Sequence, residues 1–552
     1  MQSTTHELFD EEDEWPRRLL HIPSMTSHRW EPGNVYGGVV KPKYNILSYT
    51  WGRWEDKTGK MPNAEPLCIN GIGWPVPRID SGHFNASQFM AVVQATAGEN
   101  RLEYMWLDVA CIDQTKDSPE MAREIGRQAT IFRKAEEGFI WLNQHNTSEL
   151  QEIASDFKSM EMVEDVGEED LSSALCILHR LKKAHWFSSL WTLQESWINP
   201  EAIFLSKSSD KVSFGTATFN FLSVARSCVG LLRKLRREFR AQLNDKTSST
   251  YQFEQLVRTS GFYALTNVMN PLGLLSASNF REVRPEEENN RVYGIMQALG
   301  FQLGVSAPDA PIGKKYTLAD LEDQMGTAIL REYPLISQLH VFDTPPLKGT
   351  GWRISRDSTV IYALDAIVFR LLHRINSDAR IQFSVQPHSG RSFGYFKGAT
   401  IAFRELFEAC QRFGPRPRNW MSPKKSGKRR QILALDRVPL LESRGFSNQY
   451  FDRTQYVTHE DAHIEHCKKL LSCLDDHEVI VLLLGREMMS DRTRKWAVGV
   501  LLVKRNCDTE WSRVGVFIWF TDAPMHGKMD DYDQDILHGR DNNWTIREGL
   551  FG

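Results

Sequence analysis

The chain has 552 residues, enough for about three domains, each with its own core. Hydrophobic residues make up 41%, charged residues 25%, and the net charge is −3; this ordinary globular balance excludes a general affinity for nucleic acid or for anionic membranes. Eight cysteines stand at positions 68, 111, 176, 228, 410, 467, 473 and 507 with no C-x-x-C pair among them, which points to reduced thiols and a cytoplasmic protein.

The acidic segment His6 to Glu14 carries no apolar core, so no secretory signal is expected, and the sequons at Asn85, Asn146 and Asn543 are expected to stay unused. The longest aliphatic run, Val479 to Leu484, is too short to cross a bilayer. Residues 1–40 read as an irregular leader, broken by Pro16, Pro23 and Pro32. Tyr44 to Thr50 reads as a strand ending at Trp51 and Gly52, followed by the charged turn Arg53 to Asp56. Ser81 to Ala97 is compatible with a helix. Leu102 to Val109 is a nearly continuous apolar run with Asp108 near its end, as in strands buried on both faces. Ser118, Pro119 and Glu120 form a helix start, and Met121, Ile125, Ala129 and Phe132 recur at helical spacing. Phe139 to Leu142 reads as another buried strand.

This alternation from 44 to 142 predicts an α/β layered domain with a mostly parallel sheet. Ligands of such sheets sit at the carboxyl ends of the strands, where Trp51, Gly52, Asp108, Asp113 and the turn 186–195 would lie. The polar stretch 145–170 reads as an exposed insertion. Leu171 to His185 is an amphipathic helix leading into Trp186-Phe-Ser-Ser-Leu-Trp-Thr-Leu-Gln-Glu195, and Ala202 to Leu205 reads as a strand. From 211 to about 335 the pattern is helical. It includes the basic helix Leu231 to Arg240, the apolar Asn290 to Leu299 and a capping-box-like start at Thr317 to Asp320. Strand-like runs return at Ile381 to Val385, Glu478 to Leu484, Trp496 to Val503 and Val514 to Phe520, the last two as antiparallel neighbours. Lys424 to Arg430 is an exposed basic loop or a nuclear-import patch. The expected division is a leader at 1–40, an α/β domain at 41–210, a helical extension at 211–340 and an α+β region at 341–552.

Two short motifs suggest other chemistry. His459-Glu-Asp-Ala-His463, with His466 beyond it, fits the H-E-x-x-H zinc pattern. Asp461 places a charge where such helices are apolar, and Cys467, Leu470 and Leu474 continue the His463 face as core, so no metal site is assigned. Gly390-Arg-Ser-Phe-Gly394 fits G-x-S-x-G, but Pro387 to Ser389 separate it from the preceding strand, and a plain turn explains its glycines.

Several of these blocks resemble the fungal heterokaryon incompatibility (HET) domain. Tyr44-Asn-Ile-Leu-Ser-Tyr-Thr-Trp-Gly52 matches its first strand and turn. Trp106-Leu-Asp108 with Cys111-Ile-Asp-Gln114 matches its second block, Asp113 replacing the family's asparagine. Ile131 to Leu142 matches its third. Trp186-Phe187 with Trp191-Thr-Leu-Gln-Glu195 matches its fourth, Ser189 standing where the family often has arginine. Asn290-Arg-Val-Tyr293 resembles a later family helix. The resemblance covers roughly 44 to 205, extends more weakly to about 335, and leaves the C-terminal region uncovered.

The HET family is similar to TIR domains, and the resemblance therefore implies a TIR- or flavodoxin-like mostly parallel sheet. Trp191-Thr-Leu-Gln-Glu195 resembles the plant TIR motif whose glutamate is catalytic in members that cleave NAD. By that likeness Glu195 is the candidate catalytic group, and Ser48, Trp51, Gly52, Asp108 and Trp191 are candidates for binding NAD, as substrate and not as cofactor. Cleavage of the nicotinamide–ribose bond passes through an oxocarbenium-like state that a carboxylate can stabilise. The alternative role for Glu195 is structural, as a turn cap or as a partner of Arg180 or Lys183. The implied function is an allorecognition or immunity effector whose output is growth arrest or cell death. It acts either as an NAD glycohydrolase or as a non-enzymatic domain signalling by self-association, with a zinc-dependent hydrolase in the C-terminal part as a distant third alternative. Homo-oligomerisation on activation and a protein trigger are expected, with no membrane and no nucleic-acid partner.

Overall fold

The computed structural model describes residues 15–50, 67–80, 82–97, 102–115, 118–239, 242, 245–266, 271–311, 313–355, 358–360, 381–412, 431–451, 460–488, 494–522 and 544–552. The chain forms two compact units, Met1–Phe239 with Thr247–Leu321, and Arg240–Lys246 with Glu322–Gly552.

The first unit is built on a six-stranded sheet. Its strands are β1 (Arg18–His21), β2 (Thr26–Arg29), β3 (Tyr44–Ser48), β4 (Tyr104–Trp106), β5 (Gly138–Trp141) and β6 (Ile203–Leu205), in the spatial order β2-β1-β4-β3-β5-β6. β4, β3, β5 and β6 are parallel neighbours, whereas β1 pairs antiparallel with both β2 and β4. Among the four parallel strands the second lies outside the first, and the third and fourth lie on its other side. This is the flavodoxin order, whose switch point falls between β3 and β5. The β1–β2 hairpin corrects the expectation of an irregular leader over 1–40. Pro16, Pro23 and Pro32 all stand outside the two strands, so none interrupts the ladder.

β3 and β5 are buried along their whole length because both faces of the sheet are covered. Side chains alternate between two cores: Phe139 and Trp141 join one with Tyr44, Phe89 and Trp106, while Ile140 and Leu142 join the other with Trp186 and Phe204. α1 (Ala86–Ala95) is opened by a capping box between Asn85 and Gln88. The expected strand 102–109 is shorter than its apolar run. β4 stops at Trp106, and a single turn, α2 (Asp108–Cys111), begins at Asp108. α3 (Pro119–Lys134) starts at the expected proline, but the Ser118 hydroxyl donates to Asp113 at 2.7 Å instead of capping the helix.

The stretch 145–170 is not an exposed insertion. It supplies α4 (Thr147–Met162), capped by Asn146, and the start of α5 (Glu168–Leu181). Leu150, Ile153, Ala154 and Phe157 recur at helical spacing and are completely buried in the core that holds Trp186. α6 (Leu190–Ile198) follows, then β6. α7 (Phe221–Glu238), α8 (Ser249–Thr259), α9 (Phe262–Thr266), α10 (Pro271–Ser278) and α11 (Asn290–Met296) belong to the same compact unit. Phe221, Val224, Leu232 and Phe262 complete its core. The boundary expected at 340 lies elsewhere: the two units divide inside α12 (Leu318–Glu332), between Leu321 and Glu322.

The second unit contains an antiparallel sheet. Its strands are β7 (Gln382–His388), β8 (Arg391–Ala402), β9 (Gln431–Leu435), β10 (Glu478–Met488), β11 (Arg494–Lys504), β12 (Ser512–Asp522) and β13 (Thr545–Phe551). The order is β7-β8-β10-β11-β12-β9, with β13 also paired to β8. α13 (Phe403–Arg412) and α14 (Glu460–Cys473) lay Phe403, Leu406, Cys467 and Leu470 against it. Arg513 and Asp436 form a buried ion pair at 3.0 Å within this unit.

Candidate functional site

Three carboxyl-end elements of the parallel sheet come together around Glu195. Ser48 is the last residue of β3, Asp108 stands two residues after the end of β4, and Glu195 stands on α6. The Trp186 indole N–H donates to the Ser48 hydroxyl at 2.7 Å, and that hydroxyl donates in turn to Glu195 Oε2. Ser48 is thus both acceptor and donor, which gives the chain Trp186–Ser48–Glu195 a fixed direction.

Glu195 as a residue keeps some solvent contact, but its carboxyl group is surrounded by protein atoms. This desolvation raises its pKa to about 8; the Ser48 hydrogen bond opposes the rise and the charge of Asp108 adds to it. At neutral pH the group is therefore mostly protonated. Asp108 has its own partners: the Tyr49 hydroxyl donates to Oδ1 at 2.5 Å and the Val109 N–H at 2.7 Å. Burial raises its pKa, and these hydrogen bonds pull the other way. Consecutive residues of one chain segment, Ser48 and Tyr49, thereby serve two different carboxyl groups.

A small space lies beside Glu195, bounded by Ile46, Ser48, Gly138, Ile140, Trp186 and Asn199. It measures about 200 Å³, open solvent included. Gly138 lies close under Asn199 there: a Cβ would fall 2.5 Å from the Asn199 side-chain nitrogen and 3.2 Å from the Ala202 Cβ, so a larger residue would have to displace the Asn199 side chain.

The remaining sequence candidates fall as follows. Trp191 is one turn before Glu195 on the same helix, but it runs along α11: a Cβ at Gly294 would lie 3.7 Å from its indole. It is absent from the lining of the space beside Glu195. Trp51 and Gly52 lie outside the described residues, as do Glu55, Asp56 and Lys424 to Arg430. Asp113 is a turn residue, accepting from the Thr115 N–H at 2.9 Å and the Ser118 hydroxyl at 2.7 Å. Neither Arg180 nor Lys183 pairs with Glu195 among the described residues. Arg180 is engaged by Glu152 at 3.0 Å and Asp156 at 3.5 Å.

Several supporting residues carried no sequence signal. Arg281 is 2% exposed and makes no ion pair with a carboxylate among the described residues. It donates instead to backbone carbonyls: to Phe187 O, to Ser189 O at 3.5 Å and to Ser260 O at 2.8 Å. The guanidinium thus holds the turn between Trp186 and α6, and burial lowers its pKa to about 9. Gln194 accepts from the Gln297 N–H at 3.0 Å and donates to Gln128 at 3.1 Å, tying α6 to α3 and to the end of α11. An arginine 86 residues downstream of Glu195 could be linked to it only by the folded chain.

The two short motifs resolve into local structure. Gly390 sits in a two-residue hairpin turn between β7 and β8, with φ of 51° at Ser389 and 75° at Gly390. Two positive φ values mark a type I′ turn, so no strand-to-helix nucleophile elbow forms. His459 lies outside the described residues. His463 is buried on α14, its Nδ1 accepting the Leu433 N–H at 3.4 Å, and the His466 ring stands 4.8 Å from that of Tyr450. Among the described residues no group of three His, Cys, Asp or Glu is placed to hold a metal ion.

The fold and the site define a doubly wound α/β domain with a protonated carboxyl at its switch point. Family-model comparison places the same segment: residues 44–195 match the model described as heterokaryon incompatibility protein (HET), so the chain carries a HET domain there. The matched segment ends at Glu195. No curated protein and no solved structure matches the chain. Among the described residues no helix is long and apolar enough to cross a membrane.

Proposed function

We propose that this protein is a heterokaryon incompatibility effector whose HET domain cleaves the nicotinamide–ribose bond of NAD, with Glu195 as the catalytic carboxyl. The observation that carries the reading is the pKa of Glu195 near 8, set by burial beside Ser48 and Asp108. A group that titrates close to the working pH suits proton transfer to or from a reacting water. The nicotinamide ring of NAD is cationic. Brought against a desolvated carboxyl, it favours the ionised form, so Glu195 would release its proton as substrate binds. The resulting carboxylate can stabilise an oxocarbenium-like state or activate water. Ser48 orients the carboxyl, and Trp186 orients Ser48. Growth arrest or cell death would follow from NAD depletion, with self-association on activation by a protein trigger.

The second reading is a non-enzymatic domain that signals by self-association. It is favoured by the size of the space beside Glu195, about 200 Å³, below the roughly 300–1,000 Å³ of small-molecule sites. On this reading the Glu195–Ser48 bond is a tie between α6 and the sheet.

Nicotinamide release by the purified full chain, at dilute and at crowded concentration, separates the two. The enzyme predicts turnover that Glu195→Ala abolishes, with kcat/KM rising with pH to about 8 and then levelling. Absence of turnover in a folded, self-associating sample leaves the second reading.

A further inference from the structure

A second cluster of charge lies at the outer side of the same sheet. It is bounded by Arg17, Arg18, Arg29, Trp74, Asp113 and Glu120 around a space of about 270 Å³, open solvent included. Arg18 and Arg29 are direct partners across the β1–β2 hairpin. Like charges placed opposite each other in a ladder are destabilising unless an anion lies between them. Glu120, in the first turn of α3, offsets only one side of the pair: it stands 3.1 Å from Arg29 and 3.7 Å from Arg17.

Arg18 is held differently. It forms no carboxylate ion pair among the described residues. One amino group donates to Gly71 O at 2.8 Å and to Ser27 O at 3.3 Å, and the guanidinium lies 5.2 Å from the centre of the Trp74 ring. Its Nε and its second amino group donate to no acceptor among the described residues. A part-buried guanidinium fixed by one edge, with its other donors unused in a recess, is a preformed half of an oxyanion seat. Of the other acids at the recess, Glu124 is neutralised by Arg127 at 2.5 Å. Asp113 is engaged with Thr115 and Ser118. Three guanidiniums therefore face Glu120 and Asp113, and Glu120, paired with Arg29 and Arg17, is 46% exposed and able to swing out.

We propose that this recess binds the phosphate group of a small phosphorylated ligand, and that Glu120 occupies the seat in its absence. A phosphate dianion would accept from Arg17, Arg18 and Arg29 together, replacing one carboxylate charge by two. The recess flanks the carboxyl end of β4, because Leu20 pairs with Met105 and Arg18 lies two residues before Leu20. It is thus about two strand spacings, roughly 10 Å, from Ser48 on the same edge of the sheet. The proposal does not depend on NAD cleavage.

The test is calorimetric titration of the full chain with inorganic phosphate, pyrophosphate and glucose 6-phosphate, against chloride at matched ionic strength. The expected result is that Glu120→Ala tightens phosphate binding about tenfold, and that Arg18→Gln weakens it by about tenfold or more. Arg29→Gln, at a side chain 64% exposed, gives the same loss should Arg18→Gln fail to fold. Preference for glucose 6-phosphate identifies an ester ligand, and preference for inorganic phosphate or pyrophosphate identifies a free anion; both support the seat. No phosphate-specific binding in either the wild type or Glu120→Ala overturns it. So does binding that is unchanged in both arginine variants.

Discussion

A glutamate that keeps its proton to about pH 8 makes folding depend on pH in an uncommon direction. The unfolded chain ionises this group near its ordinary 4.5, while the folded chain holds the proton to about 8. The folded state therefore binds more protons across that window, and its stability falls as pH rises through it, by up to about 1.4 kcal/mol per pH unit. Glu195→Gln leaves a neutral partner for the Ser48 hydroxyl and removes the slope. Urea midpoints taken from about pH 5 to about pH 8 check this, and an unchanged slope in the variant contradicts the assignment. Arg281 permits a second prediction at this scale. Arg281→Met strands the carbonyls of Phe187, Ser189 and Ser260 in the core, and a loss of about 3 kcal/mol is expected. Glu195 and Ser48 were both candidates by resemblance, but the bond between them and the role of Arg281 were not readable beforehand. The sequence shows a lone carboxylate in an aromatic turn, but Ser48 lies 147 residues from Glu195, and no spacing rule connects them.

Among elements, the contact of α6 with α11 is a close approach near the site. A Cβ at Gly294 would meet Leu190 at 3.1 Å and 3.2 Å as well as the Trp191 ring. Gly294→Ala should therefore push α6 away and destabilise by about 1–3 kcal/mol, read as a lowered urea midpoint, with Ser48–Glu195 geometry altered in parallel. The strands and helices between 44 and 142 were legible because each is a short apolar run or a clear 3.6-residue period. The β1–β2 hairpin was not, since three prolines suggested breaks although none stands within a strand. α4 was hidden by its neighbour: the acidic run after Met160 suggested solvent, while Leu150 to Phe157 carried a helical period that was passed over.

The whole chain divides into two units with separate cores, so calorimetry should show two unfolding transitions. Asp436→Ala leaves Arg513 charged and unpaired in the second unit, costing about 3–5 kcal/mol and lowering one transition only. Arg281→Met should lower the other. A single transition moved by both variants would show that the units unfold together. The antiparallel character of the second unit was visible in the paired runs before and after Asn506. The division inside α12 was not, because a continuous helical pattern gives no sign that its two ends belong to different cores.

The hydrogen-bonded line from Trp186 through Ser48 to Glu195 also carries information outward. When the carboxyl loses its proton, Ser48 is polarised toward it, and the indole N–H that feeds Ser48 feels a stronger acceptor. Trp186 is 1% exposed, so no solvent exchange obscures that change. Its side-chain nitrogen resonance, followed in a sample where the indoles are isotopically labelled, should titrate with a midpoint near 8 and should go silent in Glu195→Gln. The protein thus holds its own spectroscopic gauge of the one charge on which the proposed chemistry turns.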